Sequence, residues 1–240
     1  MLLKKIILLC FVLVLFYDLK SQPVDQIISK YIEFIGGDSN WKHVNTLITS
    51  GEYNYGGIKF PFTAYSKAPN LYKFVVPFEG KYYAQAFDGY QGWKIDAFKN
   101  ETKPTMLTGK AAKAMANEAD VELEDTFINY RQKGHKAIDE GTDTVDEKIC
   151  SRVKLIRKSG AEETYYFDRS SGSLVLKIGL SKNAELPGTL LNTTYSDYRD
   201  VQGIKIPFKA VSKSNDQIIL EITLNKAEIN ATIDDKEFQY

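Results

Sequence analysis

The stretch from residue 68 to residue 98 constrains the fold more than any other part of this 240-residue chain. In residues 71–78, large side chains at 72, 74, 76 and 78 share one face, and residues 82–87 are also rich in aromatics. An Asp-Gly pair at 88–89 then leads into a segment in which Trp93, Ile95 and Ala97 lie on one side. Alternation with a period of two, interrupted by an Asp-Gly turn, predicts antiparallel β-strands. No residue pattern here is typical of a catalytic centre, so we interpret the stretch as one apolar wall of a β-sheet.

The same alternation occurs on both sides of this stretch. A hairpin is predicted over 46–67, where two alternating runs are separated by Gly56-Gly57. Short turns, such as the one predicted at Gly141-Thr142-Asp143, place consecutive strands side by side. The result is a large, strongly curved antiparallel sheet with one apolar and one solvated face. Later strands are predicted at 135–142, 145–157, 161–168, 173–181 (with Leu174, Leu176, Ile178 and Leu180 on the apolar face), 190–199, 204–213 and 217–229.

Two regions have helical patterns instead. From Pro23 to Gly36, apolar residues recur at intervals of three and four, and Gly36-Gly37 ends the segment. Frequent alanine and few β-branched residues predict two further short helices, over 105–117 and 120–131. A helical insertion between strands lies most simply over one face of the sheet. It either forms a lid over a ligand, for which methionine is well suited, or caps a filled core.

Residues 1–21 have the features of a secretory signal peptide. A pair of lysines precedes an apolar run at 6–17, which is too short to span a bilayer, and cleavage is expected between Ser21 and Gln22. The alternatives are an uncleaved N-terminal anchor and a lipoprotein modified at Cys10. Because small residues are missing just before Cys10, we favour a cleaved signal and a secreted, periplasmic protein.

The expected mature chain, residues 22–240, is interpreted as one domain with a balanced charge. The full sequence has 31 basic and 31 acidic residues, and loss of the three lysines and one aspartate in the leader leaves 28 and 30. This balance gives no electrostatic reason to expect nucleic acid as a partner. Cys150 is then the remaining cysteine, so we expect a small buried strand residue rather than a disulfide.

The sequence offers little for catalysis. A hydrolase would have to use His43 or His135, and both are typical of surface or strand-end positions. The metal-binding spacings HxxxH, HExxH and CxxC are absent, as is a glycine-rich phosphate loop. Acidic pairs such as Glu162-Glu163 and Asp234-Asp235 are expected to be solvated. We therefore expect no enzyme activity, no metal and no cofactor. A hydrolase is kept as a third hypothesis, after the carrier and the structural module that are described next.

Binding is the function that an apolar sheet face supports. A curved sheet under a helical cover can enclose an apolar ligand. An acyl chain is its natural guest, since burial stabilises by about 0.8 kcal/mol per methylene. The same residues would fill a plain core, so an envelope structural or protein-interaction module is the alternative. The candidate lipid contacts are Tyr72, Phe74, Val76, Trp93, Ile95, Leu176, Ile178, Ile206, Phe208, Leu220 and Ile222 on the sheet, with Met106, Leu107, Met115 and Phe127 in the lid.

An ordered set of motifs carries a family resemblance. Lys-Ala-Pro-Asn-Leu-Tyr-Lys-Phe at 67–74 is followed by the Asp-Gly turn at 88–89 and by Trp93. This order resembles the periplasmic lipoprotein carriers (LolA/LolB-like), which have Pro-Asn-Leu-Phe, a strand, an Asp-Gly turn and a tryptophan strand. The resemblance covers nearly the whole mature chain, through further motifs at 28–37, 166–168, 196–199, 201–204, 233–235 and Phe238.

The resemblance implies a mainly β fold, an incomplete β-barrel with α-helices covering its concave apolar face. It also implies a carrier of lipoprotein acyl chains or other lipids, active in outer-membrane lipoprotein sorting, with membrane-bound donor or acceptor proteins as partners. We expect a monomer. The carriers place an arginine that holds the lid shut just before Pro-Asn-Leu-Phe, whereas this chain has Ala68 there, with Lys67 beside it.

Overall fold

The computed structural model describes residues 23–122, 125–181, 186 and 188–240. No helix in this part of the chain is long and apolar enough to cross a membrane. The helices are α1 (Pro23–Phe34), α2 (Asp38–Trp41) and α3 (Gly109–Glu122), with 3₁₀ turns at Ala97–Lys99 and Asp235–Phe238. The strands are β1 (Thr46–Tyr55), β2 (Ile58–Lys67), β3 (Leu71–Phe78), β4 (Lys81–Phe87), β5 (Gly92–Ile95), β6 (Thr105–Met106), β7 (Lys136–Val145), β8 (Lys148–Ile156), β9 (Glu162–Asp168), β10 (Leu174–Leu180), β11 (Leu190–Val201), β12 (Ile204–Ser214) and β13 (Gln217–Ile229).

These thirteen strands form one antiparallel sheet. Its order is β6-β5-β4-β3-β2-β1-β13-β12-β11-β10-β9-β8-β7, so every pair except β1–β13 joins strands that follow one another in the chain. Short connections between sequential strands produce this arrangement, as the sequence predicts. The edge strands β6 and β7 do not pair with each other, and the curved sheet stays open. The prediction of a mainly β, incomplete barrel with helices on its concave face is confirmed.

Cross-strand partners assign the side chains of the strands to two faces. Phe62 on β2 lies opposite Gly51 on β1, and Gly51 lies opposite Leu224 on β13, so all three share one face. Met115 of α3 packs against Tyr72, which also lies on this face. We call it the inner face and the opposite side the outer face.

Helix α1 packs on the inner face at the other half of the sheet. Its apolar stripe is less than 5% exposed and contacts β8, β9 and β10 through Val153, Leu155, Tyr165, Phe167 and Leu174. Just after the helix, Gly36 has a φ of 116°, and a Cβ there would lie 2.2 Å from the carbonyl oxygen of Gly203. A glycine is needed for both reasons, so α1 ends directly against the β11–β12 turn.

The insertion between β5 and β7 corrects the prediction of two helices. Within the described residues the insertion forms one helix, α3, and Thr105 and Met106 instead pair with β5 as strand β6. Residues 126–134 form turns, in which the amide of Phe127 donates to Asp125 Oδ1 at 2.8 Å and Asn129 has a φ of 54°. A side chain that bonds the backbone locally and a left-handed residue both interrupt a helix. Residues 123 and 124 lie outside the described residues.

Strand β7 continues through the turn predicted at residues 141–143. A bulge between Asp139 and Thr142 accommodates the glycine. The chain turns instead at Asp146-Glu147, whose φ angles are 45° and 64°. Two consecutive residues with positive φ match the right-handed twist of a hairpin, so they can close it with a two-residue loop.

The C-terminal segment packs on the outer face of β3–β5. The side chain of Phe238 is completely buried, and its carbonyl oxygen accepts a hydrogen bond from Trp93 Nε1 at 2.8 Å. Lys73 lies opposite Ala86, which lies opposite Trp93, and Lys73 pairs with Glu237 at 2.7 Å. This edge of the sheet is therefore covered on both sides, by α3 inside and by the C-terminal segment outside.

Candidate functional site

Burial on the inner face decreases toward one end of the sheet, the end with the β1–β2, β3–β4 and β12–β13 turns. On β2, the exposed fraction rises from 5% at Phe62 to 62% at Ile58. On β13, Leu224 is buried and Leu220 is only half-buried. We call this the open end. The opposite end is covered by α1 and α2, with Trp41 in contact with the core on both halves of the face.

Aromatic rings dominate the inner face near the open end. Phe98, in the 3₁₀ turn after β5, lies 4.6 Å from Phe78 and 5.3 Å from Phe60 between ring centroids. Farther in, Phe74 lies 5.5 Å from Tyr53. These separations suit edge-to-face and offset ring contacts, which join the rings into two groups. Tyr53 of one group lies opposite Phe60 of the other on the neighbouring strand, so the two groups form a connected apolar surface. We call this set the aromatic wall: Tyr53, Tyr55, Phe60, Phe62, Phe74, Phe78, Tyr83 and Phe98.

Helix α3 packs on the inner face beside the wall, on the β3–β5 side, and Phe74 is the wall residue that adjoins this contact. Met115 and Ala119 are buried against Tyr72 and Phe87, with the half-buried Leu107 beside them. The contact uses small or flexible side chains, which allow the helix to approach closely and to repack.

Gly92 sets the distance between α3 and the sheet. A Cβ at this position would lie 3.0 Å from Leu107 Cδ1 and 3.1 Å from Met115 Cγ. We expect Gly92→Val to lower the free energy of unfolding by about 1–3 kcal/mol, since extra methyl groups overpack this contact. Urea unfolding measures the loss, and faster proteolysis within α3 would locate it. Gly92→Ala should show a smaller effect of the same kind; equal stability of all three proteins would contradict the close contact.

The other half of the inner face is filled. Phe127 is 1% exposed and stacks edge-on against Tyr165 at 4.8 Å and Phe167 at 5.3 Å. The hydroxyl of Tyr31 donates to Asp125 Oδ2 at 2.6 Å, which fixes the loop that carries Phe127 onto α1. Phe127 is thus a core residue beneath α1. It lies in a different hydrophobic cluster from Met115 and Ala119 of α3.

A charged cluster is buried in this half, near the open end. Glu163 is 5% exposed and accepts from Arg157 Nε at 2.5 Å, from the Tyr165 hydroxyl at 2.9 Å and from Lys177 Nζ at 2.8 Å. Burial and the neighbouring Glu163 carboxylate raise the pKa of Tyr165, so the phenol stays protonated. The expectation that the Glu162-Glu163 pair is solvated is wrong for Glu163.

A cavity of about 350 Å³ lies at the far edge of the inner face, between α1 and β7–β9. Two of its charged groups already have partners within the protein: Lys30 Nζ donates to the Ser170 carbonyl at 3.0 Å, and Asp139 accepts from the Gly141 amide at 2.8 Å. The mixed lining differs from an acyl-chain site, which is mostly apolar. It consists of Gln26, Ile27, Lys30, Asp139, Gly141, Thr142, Ser151, Phe167, Asp168, Arg169 and Gly172.

Most of the predicted lipid contacts lie on the inner face. Phe74 belongs to the aromatic wall itself, and α3 brings Leu107 and Met115 to Tyr72. The middle of the face contains the others: Val76, Ile206, Phe208, Leu220 and Ile222.

Three predicted contacts at the β5 edge lie on the outer face. Trp93 and Ile95 lie opposite Ala86 and Ala84, and Met106 lies opposite Trp93. The C-terminal segment occupies this side, so these residues cannot share a cavity with Phe74. Their placement on the inner face was wrong, because alternation separates two faces without saying which face each strand turns inward.

Leu176 and Ile178 also lie on the outer face. Leu174 is opposite Phe167 on the inner face, but a bulge follows, and Leu176 is then opposite Tyr166. A bulge adds one residue to a strand and so reverses the faces beyond it. Leu176 and Ile178 pack instead beside Cys150, which is fully buried in β8 as predicted.

Seven members of the aromatic wall were not among the predicted contacts, namely Tyr53, Tyr55, Phe60, Phe62, Phe78, Tyr83 and Phe98. The alternation over 46–67 was a sufficient signal for four of them, since Tyr53, Tyr55, Phe60 and Phe62 share the inner face of the predicted hairpin. Phe98 carries no such signal, because its place depends on the 3₁₀ turn after β5.

The position of the carriers' latch arginine has no lid contact here. Ala68 is exposed, and its amide donates to the Asn45 carbonyl at 2.9 Å. The adjacent Lys67 pairs with Asp235 at 2.6 Å and donates to the Ile233 carbonyl at 2.7 Å. Lys67 thus holds the C-terminal segment on the outer face.

Both histidines make backbone hydrogen bonds in turns. His43 Nδ1 lies 2.7 Å from the Ser39 carbonyl, and His135 Nδ1 accepts from the Lys158 amide at 3.1 Å. Within the described residues, no group of three or more His, Cys, Asp or Glu side chains is placed to bind a metal ion.

Known structures share this fold. No family model and no curated protein sequence matches the chain. A DUF1329 family protein from Desulfovibrio piger superposes with a TM-score of 0.62 at 13% identity, covering 92% of this chain and 98% of that one. A LolA superfamily protein from Nitrosomonas europaea superposes with a TM-score of 0.58 at 12% identity, over 90% of this chain and 97% of its own.

A third similar structure is a domain from Vibrio parahaemolyticus, provisionally named an outer-membrane lipoprotein-sorting protein. Its TM-score is 0.56 at 10% identity, over 89% of this chain and 95% of that domain. At such identities the likeness shows the fold alone. The chain has a LolA-like fold, and the resemblance drawn from its motifs is confirmed at that level.

Proposed function

We propose that this protein is a non-enzymatic periplasmic carrier that holds lipid or lipoprotein acyl chains against the aromatic wall. The observation that supports this most is the wall itself. It is a connected apolar surface on the inner face, and its exposure increases toward the open end, where Phe98 is 45% exposed. Apolar surface left exposed in a folded protein commonly marks a binding site.

The packing of α3 beside the wall suits a ligand that enters and leaves. Contacts of α3 with the sheet come from Met115, Ala119 and Leu107, which are apolar and adaptable. Displacing these side chains from the sheet costs apolar burial. In place of the carriers' arginine latch, packing against Tyr72 and Phe87 would hold the lid shut.

The similarity in fold to known structures also supports this proposal. The similar structures include a LolA superfamily protein and a domain provisionally named for lipoprotein sorting. Residues 1–21 as an export signal, the carriage of cargo to the outer membrane, the monomeric state and membrane-bound donor or acceptor partners belong to this proposal.

A structural or protein-interaction module of the envelope is the second candidate. The α1 half of the inner face favours it, because Phe127, Val153 and Leu155 are at most 1% exposed and leave no room for a chain there. The two candidates differ in whether the aromatic wall takes up lipid.

Lipid uptake is tested with protein purified from the periplasm. Native mass spectrometry is expected to detect co-purifying lipid, and acyl chains should displace a fluorescent fatty-acid probe. We expect Phe60→Asp and Phe98→Asp to weaken probe binding at least tenfold, since a charge at the wall opposes about 1.5–3 kcal/mol of apolar burial. Tyr90→Asp is the control, because Tyr90 is 93% exposed at the opposite end. Absence of lipid together with absence of probe binding would favour the structural module.

A further inference from the structure

Exposed apolar side chains are concentrated at the open end of the sheet. Among the described residues, ten large apolar side chains are exposed, and seven of them lie at or near this end. Leu180 is 61% exposed and Leu190 54%, and they face each other across β10 and β11. We call these seven residues the rim: Ile58, Tyr82, Phe98, Ile138, Leu180, Leu190 and Ile218.

The rim residues come from both faces of the sheet. Ile58 lies on the inner face, opposite Tyr55. Leu180 and Ile218 lie on the outer face, because Leu180 follows Ile178 in alternation and Ile218 lies opposite Lys213. What these side chains share is the end of the sheet rather than a face. A flat surface placed against that end meets side chains from both faces, whereas a helix or strand of a partner would follow one face.

Lysines alternate with the apolar side chains along this end. Lys59 follows Ile58, Lys81 precedes Tyr82 and Lys99 follows Phe98. Lys59 pairs with Glu52 at 2.7 Å and Lys99 with Asp96 at 3.1 Å, whereas Lys81 donates to the side chain of Asn100 at 3.2 Å. Lys213 is next to Ile218 across the β12–β13 pair, and within the described residues it has no acidic partner. Acidic exceptions are Glu79 and Asp216, in the turns, and Glu162, which begins β9 and has a side chain that is 57% exposed. Apolar side chains interleaved with lysine are suited to the boundary of an anionic bilayer, where the chain enters and the ammonium stays with the headgroups.

We propose that the rim docks on an anionic lipid bilayer, so that the open end of the aromatic wall faces the membrane. This docking proposal rests on the proposed function, because a lipid carrier must exchange its lipid at a membrane. The position of Phe98 supports the docking proposal, because Phe98 belongs to both the rim and the aromatic wall and so links the two surfaces. A docked rim would shield the apolar chain from water while it moves between bilayer and wall.

Vesicle flotation tests the docking directly. The exported protein is expected to float with vesicles of phosphatidylglycerol and phosphatidylcholine in equal parts, and to float less with pure phosphatidylcholine or in high salt. The double variant Leu180→Ser/Leu190→Ser should bind the anionic vesicles at least tenfold more weakly, because it removes two inserted side chains. Ile149→Ser is the matched control: Ile149 is also 61% exposed but lies at the opposite end, so its binding should not change.

Probe binding without vesicles separates this proposal from the proposed function. Leu180 and Leu190 lie outside the aromatic wall, so the double variant should bind the fatty-acid probe as the unchanged protein does. Loss of flotation with retained probe binding supports the docking. If the unchanged protein binds probe but does not float, the docking is overturned and the carrier function stands. If the double variant instead alters the oligomeric state in light scattering, the rim is a protein interface and the docking is likewise overturned.

Discussion

Replacing Phe238 with alanine is expected to lower the free energy of unfolding by about 3–5 kcal/mol. Phe238 is completely buried although it is only two residues from the end of the sequence. The lost side chain would leave a cavity between the C-terminal segment and the outer face. The hydrogen bond from Trp93 Nε1 to the Phe238 carbonyl and the Lys73–Glu237 pair depend on the same docking, so they would weaken with it.

Urea unfolding, followed by circular dichroism, measures this loss. Gln239→Ala is the control, since Gln239 is exposed and adjacent, and its change should stay within about 0.5 kcal/mol. In Phe238→Ala we also expect the emission of Trp93 to shift to longer wavelength, because its ring becomes solvated. If the two variants have equal stability, the C-terminal segment does not contribute to the fold.

The strand pattern was predictable because each strand has one buried face. Along β12, Ile204, Ile206 and Phe208 point inward and are less than 9% exposed, and this is the alternation that the sequence shows. Register follows from alternation once one face is apolar, since a slip of one residue would expose the whole set. The hairpins from 46–67 and 204–229 were therefore placed correctly.

The assignment of faces was less predictable, for two physical reasons. The bulge after Leu174 reverses the faces of β10, and valine at position 175 is not a residue type that predicts a bulge. At β5 both faces are buried, by α3 and by the C-terminal segment, so the apolar character of Trp93 does not distinguish them. Only the path of the distant C-terminal segment decides which side Trp93 contacts.

The buried charges in the half of the sheet beneath α1 were not predicted from the sequence, for a related reason. Glu163 follows Glu162 in a segment that was predicted to be solvated. Alternation along β9 places the two carboxylates on opposite faces of the sheet. Its partners come from separate positions, Arg157 at the end of β8 and Lys177 on β10. Lys177 reaches the inner face because the bulge after Leu174 has shifted the strand by one residue. One unpredicted bulge therefore both removes Leu176 from the inner face and supplies a partner to Glu163.

Glu163→Gln is expected to destabilise the protein by about 3–5 kcal/mol, because it leaves two cations partly buried without their carboxylate. The side chains of Arg157 and Lys177 are 12% and 22% exposed, so water cannot fully replace the lost charge. Glu162→Gln is the matched control. The Glu162 side chain is 57% exposed and pairs with Lys154 at the surface, so its loss should cost about 1 kcal/mol or less.

A second change distinguishes unpaired charge from lost packing. Lys177→Met removes one cation while keeping most of the aliphatic volume, so the double variant Glu163→Gln/Lys177→Met should recover part of the stability lost by Glu163→Gln alone. Urea unfolding of the four proteins gives the coupling free energy between the two sites. A double variant no more stable than Glu163→Gln would mean that the carboxylate acts through its bonds to Tyr165 and Arg157 rather than by neutralising Lys177. In that case the ammonium of Lys177 must already be solvated at the open end, and the inner face must admit water as far as β10.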